Sequence, residues 1–251
     1  MPEIHVVTGA SSGVGRALCA HIAAKGDHVL GLARRADELE ALRATDPDRI
    51  TVLPCDLGTP DGRSAACNAV PEGFAVRSLV HSAAIAPHDR MQDLTDEGYR
   101  RTMAINLDAP ILLTRDLLPR MAERGRVLHL SSGSAYRTNP GGGLYSITKA
   151  ALLMAKAAWN ADLPRGGVIV GSAMPGVVDG PMQDAARADT NPSAALFRGF
   201  QADGRLLRPE RVAEFLYWLL TGTDDEAFAA GDWNVFDEAH HPHWLVGPIN
   251  A

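Results

Sequence analysis

The sequence is poor in the residues and runs that mark several large classes of protein. It has only three cysteines, Cys19, Cys55 and Cys67, and their wide spacing is typical of neither a disulfide framework nor a metal site. No run of about 18 uncharged apolar residues occurs, so no membrane-spanning helix is predicted. We therefore expect no bound metal and no membrane partner.

An excess of positive charge is also lacking. The formal net charge of −6 argues against nucleic acid as a partner. The first extended segment begins near residue 3, which leaves no room for a signal peptide. Together with the low cysteine content, this favours a soluble protein in a reducing, cytoplasmic setting.

What the chain does have is a regular alternation of extended and helical segments. With 46% hydrophobic residues, the 251 residues can bury a large core as one domain over 1–251. Strand–helix alternation implies crossover connections, which predicts an α/β fold with a seven-stranded, mostly parallel, doubly wound sheet covered by helices on both faces. The predicted strands are 3–7, 28–33, 50–54, 77–82, 126–131, 167–173 and 232–236.

A glycine-rich turn follows the first strand and leads into an amphipathic helix. Its spacing, Gly-x-x-x-Gly-x-Gly, differs from the best-known dinucleotide fingerprint, and the alternative is an ordinary glycine-rich turn. A strand–turn–helix context lets the backbone approach a pyrophosphate, which the helix N-terminus attracts through free N–H groups and its dipole. The residues predicted to contact a dinucleotide are Gly9, Ser11, Ser12, Gly13, Val14 and Gly15.

A tyrosine and a lysine lie four residues apart in an alanine-rich segment, and a serine precedes the tyrosine by thirteen. Tyr145 and Lys149 should share one helix face, although such pairs occur by chance on many helices. Lowering a tyrosine pKa from ~10 to ~7 requires roughly 4 kcal/mol, much of which a nearby cation in a partly dry site can supply. With Ser132, they predict a general acid/base poised near neutral pH.

In this order and separation, the two motifs resemble those of the short-chain dehydrogenase/reductase family. The resemblance covers nearly the whole chain, with further matches at Asp56-Leu57, Asn106, 130–133 and 175–178. It implies a Rossmann-type domain and an NAD(P)-dependent oxidoreductase that transfers a hydride between nicotinamide and a ketone, dicarbonyl or secondary alcohol. The stretches 175–183 and 202–207 are similar to the sepiapterin reductase and benzil reductase subgroup, which implies a ketone or vicinal dicarbonyl.

The resemblance also implies a role for each catalytic residue. Tyr145 would protonate the carbonyl oxygen, and Ser132 would hydrogen-bond the same oxygen as charge develops. Lys149 would lower the tyrosine pKa and hold the nicotinamide ribose. Asn106 would hold a water that links Lys149 to solvent, the alternative being a polar residue that bends a long helix.

The end of the second strand indicates which dinucleotide is used. An acidic residue there would bind the ribose 2′-hydroxyl of NAD, whereas this chain has Arg34 and Arg35, whose guanidinium groups suit a 2′-phosphate. The rival is Asp37, which we assign instead to a helix N-cap with Glu40 three residues later. NADP(H) is therefore preferred over NAD(H).

Other cofactor contacts follow from the resemblance, with two departures. Asp56 and Leu57 would contact the adenine, unless Asp56 merely closes a strand. The family's Asn-Asn-Ala-Gly is here His-Ser-Ala-Ala, in which Ala84 restricts the backbone. Gly180 replaces a threonine that touches the carboxamide, and this leaves open a non-catalytic, dinucleotide-sensing protein. The remaining implied contacts are Ser82, Ala83, Ala84, Pro175, Gly176 and Val178.

The segment of about 180–207 is predicted to be a mobile lid over the substrate. Two interpretations are open for its apolar side chains: they line an apolar substrate pocket, or they make ordinary packing contacts. The residues concerned are Met182, Phe197 and Phe200, together with Tyr136. The histidine-rich tail, 240–244, is expected to dock on a neighbouring subunit rather than bind metal.

Self-association as a homodimer or homotetramer is expected through helices at 98–122 and 146–163, which the resemblance implies form the oligomer surface. The apolar residues offered for that surface are Ile111, Leu112, Leu152, Met154 and Trp159.

The leading hypothesis is an NADPH-dependent carbonyl reductase acting on a small molecule. An alcohol dehydrogenase that works oxidatively uses the same residues, so the sequence leaves the direction open. The dinucleotide sensor is disfavoured by the intact Ser132, Tyr145 and Lys149.

Overall fold

The computed structural model describes residues 1–188 and 190–250; Asp189, within the predicted lid, and Ala251, at the end of the predicted domain, lie outside the described residues. One seven-stranded sheet has the order β3-β2-β1-β4-β5-β6-β7, and every neighbouring pair is parallel. The predicted doubly wound α/β fold is confirmed, with the sheet wholly parallel. The strands are β1 Glu3–Thr8, β2 His28–Ala33, β3 Ile50–Pro54, β4 Ala75–His81, β5 Met121–Leu130, β6 Ile169–Met174 and β7 Asp232–Asn234.

Helices cover the sheet on both faces and bury a separate apolar core on each. Leu18 and Phe215 lie fully buried in one core, while Leu79 and Leu113 lie in the other. Because both faces are covered, the strand sequences are almost continuously apolar. The helices are α1 Gly13–Ala24, α2 Ala36–Arg43, α3 Pro60–Asn68, α4 Asp96–Met103, α5 Ala109–Leu117, α6 Gly143–Asp162, α7 Pro181–Arg187, α8 Ala194–Ala202, α9 Pro209–Gly222 and α10 Asp225–Ala230.

The strand order reverses between β1 and β4, and the turns that follow these two strands meet there. Gly9 has φ +74°, and a Cβ at this position would lie 2.9 Å from the backbone nitrogen of Ala83. The hydroxyl of Thr8 accepts hydrogen bonds from the N–H groups of Ser82 and Ala83, each at 3.0 Å. Open α/β sheets bind their ligands at such a switch point, outside the carboxyl ends of the strands.

Helices α4 and α5 are joined by a π-helical turn, Ala104–Asp108, which contains the buried Asn106. The Asn106 Oδ1 accepts from Ile85 N–H at 2.9 Å, and Nδ2 donates to Ile85 O at 2.8 Å and to Thr148 Oγ1 at 3.2 Å. Asn106 thus links the loop after β4 to α6. π-Turns inside α-helices are frequent at functional sites.

The N-cap predicted at Asp37 is wrong. Helix α2 begins two residues earlier than this cap would place it, with Arg35 at the N-cap, and Asp37 lies exposed in its first turn. The burial of Leu39 against the core sets this start, and its N–H reaches the carbonyl of Arg35 at 3.2 Å. Glu40, predicted to complete the cap, pairs instead with Arg43.

The histidine-rich tail makes several contacts within its own chain, and its docking on a neighbouring subunit stays a prediction. His240 stacks on Phe215 with ring centroids 5.2 Å apart and lies 2.9 Å from the carbonyl of Asn234. His241 lies 2.8 Å from the carbonyl of Val235. These contacts hold His240 against α9, while Pro242 and His243 remain exposed.

One residue assigned to an oligomer surface is buried within the chain, and a second is partly buried. Leu152 is 2% exposed, and Trp159 packs against the core that contains Leu113. Met154, which was also assigned to that surface, is 70% exposed, and Ile147 of the same helix is 49% exposed. Within the described ranges, no helix combines the length and the apolar character needed to cross a membrane.

Candidate active site

The residues predicted to bind a dinucleotide follow the carboxyl ends of successive strands. The glycine-rich turn follows β1, Arg34 and Arg35 follow β2, and Asp56 follows β3. Residues 82–84 follow β4, Ser132 follows β5 and 175–178 follow β6. Because all the strands are parallel, these segments share one edge of the sheet. The fold therefore brings together residues that are up to about 170 positions apart in the sequence.

The glycine-rich turn is shaped for close approach of a ligand. A Cβ on Gly15 would lie 2.5 Å from the carbonyl oxygen of Gly9, so only glycine fits there. Ser12 is the N-cap of α1, and among the described contacts its side chain makes no capping bond. The first N–H groups of α1 therefore keep their capacity to bind an anion, and the residues present fit a dinucleotide pyrophosphate.

The adenosine end of the site is basic. Arg35 Nε and Nη2 lie 3.2 and 3.0 Å from the Ser11 hydroxyl, which places the guanidinium beside the glycine-rich turn. Arg34 and Arg35 are both exposed. A guanidinium held beside the turn is suited to a phosphate on the adenosine ribose.

Asp56 makes an ion pair that the sequence did not reveal. Its carboxylate lies 2.9 Å from Nη1 of Arg101 on α4 and accepts the N–H of Gly58 at 3.0 Å. Partial burial alone would raise the pKa of Asp56, but the hydrogen bonds from Arg101 and Gly58 and the charges of Arg101 and Arg34 lower it. Asp56 is therefore an ionised acceptor with part of its capacity already used.

Ser132, Tyr145 and Lys149 converge as predicted. Helix α6 begins two residues before Tyr145 and carries Tyr145 and Lys149 on one face, with Lys149 Nζ 5.5 Å from the centre of the tyrosine ring. The buried Lys149 donates to the carbonyl of Leu130 at 2.6 Å. Ser132, just past the end of β5, hydrogen-bonds the Tyr145 side chain. A hydroxyl, a phenol and an ammonium group thus meet at one point.

The pKa expected for Tyr145 is wrong for this structure. Burial raises the pKa of Tyr145 to about 12, and the hydrogen bond with Ser132 opposes this only in part. Burial also lowers the pKa of Lys149 to about 8, against the charge of Asp232, which raises it. Desolvation of the phenol is the dominant cause of the raised pKa of Tyr145, and the Lys149 ammonium donates to the Leu130 carbonyl. The tyrosine is therefore a protonated acid at neutral pH.

The two departures from the family pattern are accommodated differently. In the part of the chain that the structure describes, Arg124 is the one non-glycine residue with positive φ, so Ala84 has an ordinary backbone and needs no glycine. Gly180 has φ +144°, a conformation that a threonine rarely adopts, and its N–H donates to Asp179 Oδ1 at 3.1 Å. The backbone at Gly180 thus differs from what a threonine would allow.

The predicted lid contains α7 and α8 and is fastened at its base. Val178 and Leu207 form a parallel bridge, with the N–H of Leu207 2.8 Å from the carbonyl of Val177. At the other end, Ser193 Oγ donates to the carbonyl of Pro140 at 2.7 Å, just before the loop that leads to Tyr145. The predicted lid is therefore held at its base, after β6, and at Ser193, by the loop that precedes α6.

The aromatic residues of the lid pack on one another. Phe197 and Phe200 are in edge-to-face contact at 5.9 Å, and Arg205 lies over the Phe200 ring. Met182 is 40% exposed, and Tyr136 is 63% exposed and donates its hydroxyl to Asp232. Packing, rather than a closed apolar pocket, describes the observed contacts of Phe197 and Phe200.

Asp232 and Arg101 are the polar residues of the site that sequence reasoning missed. Asp232 contacts Ser131 and Tyr136 across 101 and 96 residues, and Arg101 contacts Asp56 across 45. The signal available for Asp232 was its position, because it is an acidic residue at the start of a predicted strand. Among the described residues, no group of three His, Cys, Asp or Glu side chains is arranged to hold a metal ion.

Comparisons with known proteins agree with this geometry. A family model described as short chain dehydrogenase matches residues 3–191. The 2-keto-3-deoxy-L-fuconate dehydrogenase of Xanthomonas campestris pv. campestris is 29% identical over 92% of this chain and 78% of its own length. A probable NADP-dependent dehydrogenase of Haemophilus influenzae is 29% identical over 85% of this chain and 86% of its own. The crystal structure of the KRED1-Pglu enzyme superposes with a TM-score of 0.84 at 27% identity, covering 92% of this chain and 99% of that one.

Proposed function

The chain belongs to the short-chain dehydrogenase/reductase family and is an NAD(P)-dependent oxidoreductase, and on that premise we propose that it reduces a small ketone or vicinal dicarbonyl with NADPH. One observation carries the proposal: Ser132 hydrogen-bonds Tyr145, and Lys149 lies behind the same ring. The similarity of 175–183 and 202–207 to the sepiapterin and benzil reductases supports the substrate class.

Tyr145 is suited to give a proton to a substrate oxygen. Because burial raises its pKa to about 12, the phenol is protonated throughout the neutral range. The Ser132 hydroxyl, which hydrogen-bonds the phenol, would donate to the same substrate oxygen and stabilise the charge that develops on it. Oxidation of an alcohol requires the opposite, a phenolate base. The protonated phenol is thus the form that the proposed reductive step uses.

We assign Lys149 and Asn106 supporting roles in the proton transfer by Tyr145. The Lys149 ammonium stabilises the phenolate left after proton transfer, and we assign to it the nicotinamide ribose. The Asn106 side chain gives both of its N–H groups to Ile85 and Thr148 and accepts one hydrogen bond from Ile85, so it orders the π-helical turn. We assign to Asn106 the water that links Lys149 to solvent, held by its backbone or by the remaining acceptor site of its Oδ1.

The nicotinamide cofactor supplies the hydride, and the chain supplies its binding groups. We assign the pyrophosphate to the glycine-rich turn, the 2′-phosphate to Arg35 and Arg34, and the adenine to Asp56 and Leu57. The remaining contacts, including Ser82, Pro175 and Val178, surround the nicotinamide end. The name of the Haemophilus influenzae relative supports NADP, and so does Arg35 beside Ser11.

Binding and turnover together test this function. NADPH and NADH affinities should be measured by fluorescence titration, followed by NADPH oxidation with diketones, quinones and simple ketones. We expect tighter NADPH binding and turnover of at least one carbonyl class. Tight binding with no turnover on any substrate, including alcohols with NADP⁺, would support the dinucleotide sensor instead. Light scattering of the same sample tests the proposed homodimer or homotetramer, for which Ile147 and Met154 offer exposed apolar surface.

A further inference from the structure

Asp232 begins the edge strand β7 and lies beneath the loop that carries Ser132. The Ser131 hydroxyl is 2.6 and 2.7 Å from the two carboxylate oxygens of Asp232, and the Tyr136 hydroxyl donates to Oδ2 at 3.0 Å. Ser131 and Tyr136 stand on either side of a short 3₁₀ turn, Gly133–Ala135, whose N-cap is Ser132. One carboxylate therefore holds both ends of the loop that positions the catalytic serine.

The same carboxylate faces the catalytic helix. Lys156 Nζ donates to the carbonyls of Ala229 and Gly231, at 3.0 and 2.8 Å, which places it beside Asp232. Lys149 precedes Lys156 by seven residues, about two helical turns, on the same face of α6. The Asp232 charge acts on both lysines and raises the pKa of each against the effect of burial.

The other titratable groups that face Lys149 do not replace this charge. Tyr145, on the same helix, is neutral because burial raises its pKa to about 12. His129, on β5, has its pKa lowered to about 4, chiefly by burial, and His81, on β4, is also held well below its ordinary pKa by burial. Both histidines are therefore neutral at the pH of assay. Lys156 adds only a second positive charge.

We propose that Asp232 is a positioning residue of the active site, which fixes the Ser132 loop through Ser131 and Tyr136 and keeps Lys149 as an ammonium group at neutral pH. No contact with substrate or cofactor is assigned to it. The inference rests on the proposed reductase function only for its kinetic readout, since the protonation of Lys149 is measurable without turnover.

Asp232→Asn tests the charge, because asparagine keeps the size and one acceptor oxygen. A carboxylate within a few ångströms shifts the pKa of a neighbouring ionisable group by roughly 1 unit or more. We expect the alkaline limb of the pH profile of kcat/KM to move to lower pH by about 1 unit in this variant. The titration of the Lys149 Nζ, followed by ¹⁵N NMR of lysine-labelled protein, should move by the same amount.

Two further variants separate the two roles. Ser131→Ala keeps the charge and removes one anchor, so kcat should fall while the alkaline limb stays in place. Tyr136→Phe should do the same to a smaller extent, because its ring is largely exposed. Asp224→Asn is the matched control: it removes a carboxylate that caps α10, accepting from Ala227 N–H at 2.8 Å, without contact to the serine loop.

The outcomes distinguish this inference from the proposed function. If the wild-type protein reduces no carbonyl compound, the function fails, but the NMR titration still decides on Asp232. If Asp232→Asn lowers kcat equally at every pH and leaves the Lys149 titration in place, Asp232 is only a packing group and the inference is wrong. If Asp232→Asn does not fold, Asp232→Glu replaces it in the test. The glutamate retains the charge but displaces the carboxylate from Ser131 and Tyr136, so it must lower kcat without moving the alkaline limb of the pH profile.

Discussion

The charged groups at the two ends of the cleft differ in their burial. At the proton-transfer end, Lys149 is 3% exposed, and burial shifts the pKa values of both Lys149 and Tyr145. At the adenosine end, Arg34 and Arg35 lie in solvent, and Asp56 is only partly buried. A buried charge is costly and its position is fixed by the packed core, whereas an exposed charge is screened and movable. Mutations should therefore have large, pH-dependent effects at one end and modest, salt-dependent effects at the other.

Tyr145→Phe should have the largest effect. Removing the only proton that the proposed mechanism delivers should lower kcat by roughly 10²–10⁴-fold, the usual contribution of a general acid. The affinity for NADPH, measured by fluorescence, should be unchanged because the ring is retained. A variant that keeps the wild-type kcat would refute Tyr145 as the acid.

Lys149→Met should abolish most activity and stabilise the fold at neutral pH. Burial lowers the pKa of Lys149 from 10.5 to about 8, so the folded state disfavours the ammonium that the unfolded chain retains. Wild-type stability should rise as the pH increases from about 8 towards 10, by up to about 3 kcal/mol in total. Urea unfolding at several pH values measures this.

The Lys149→Met curve provides the control for that measurement. Without a lysine to deprotonate, the variant should show no such rise between pH 8 and 10. If the stability of the variant rises with pH as the wild-type stability does, other groups cause the rise. That result would contradict the view that the buried charge of Lys149 destabilises the folded protein.

Arg35→Ala should have a smaller and selective effect. Loss of a guanidinium that lies beside Ser11 should weaken NADPH binding by about 10-fold, or about 1.4 kcal/mol, and leave NADH within about twofold. Arg35→Lys should recover only part of the loss, because an ammonium lacks the planar fork. Arg34→Ala is the corresponding variant at the neighbouring arginine, whose charge acts on Asp56. An equal loss for both cofactors would place the 2′-phosphate elsewhere.

A change in ionic strength should produce the smallest effect, and it should affect the adenosine end of the cleft without affecting the end that contains Lys149. Raising salt from about 0.05 to 0.5 M shortens the Debye length from roughly 14 to 4 Å, which screens the exposed arginines. The Kd for NADPH should rise several-fold while the alkaline limb set by Lys149 stays in place. A limb that moves with salt would mean that Lys149 is reached by solvent ions.

Local patterns made the fold and the convergence of Ser132, Tyr145 and Lys149 predictable from the sequence. Strand–helix alternation indicated the parallel sheet, and the glycine-rich turn and the Tyr145–Lys149 pair each lie within one short segment. The fold then brings these segments to the same edge without further information, because parallel strands end together.

Contacts between distant segments were not predictable in this way. Asp232 meets Ser131 across 101 residues, and nothing near either residue indicates the other. The N-cap at Asp37 failed because burial of Leu39 decided where α2 begins, and the tyrosine pKa failed because desolvation depends on the whole fold. The contact between His240 and Phe215 could not be predicted for the same reason, since Phe215 is on α9.

The bridge between Val178 and Leu207 has a consequence for how such a protein diversifies. Because the chain leaves and re-enters the domain at two hydrogen-bonded neighbours, these two residues are suitable junctions for exchanging the segment between them. A graft at these junctions must also replace the hydrogen bond from Ser193 to the carbonyl of Pro140. We expect such an exchange to change the proposed substrate preference while Tyr145 and Lys149 keep their places on α6.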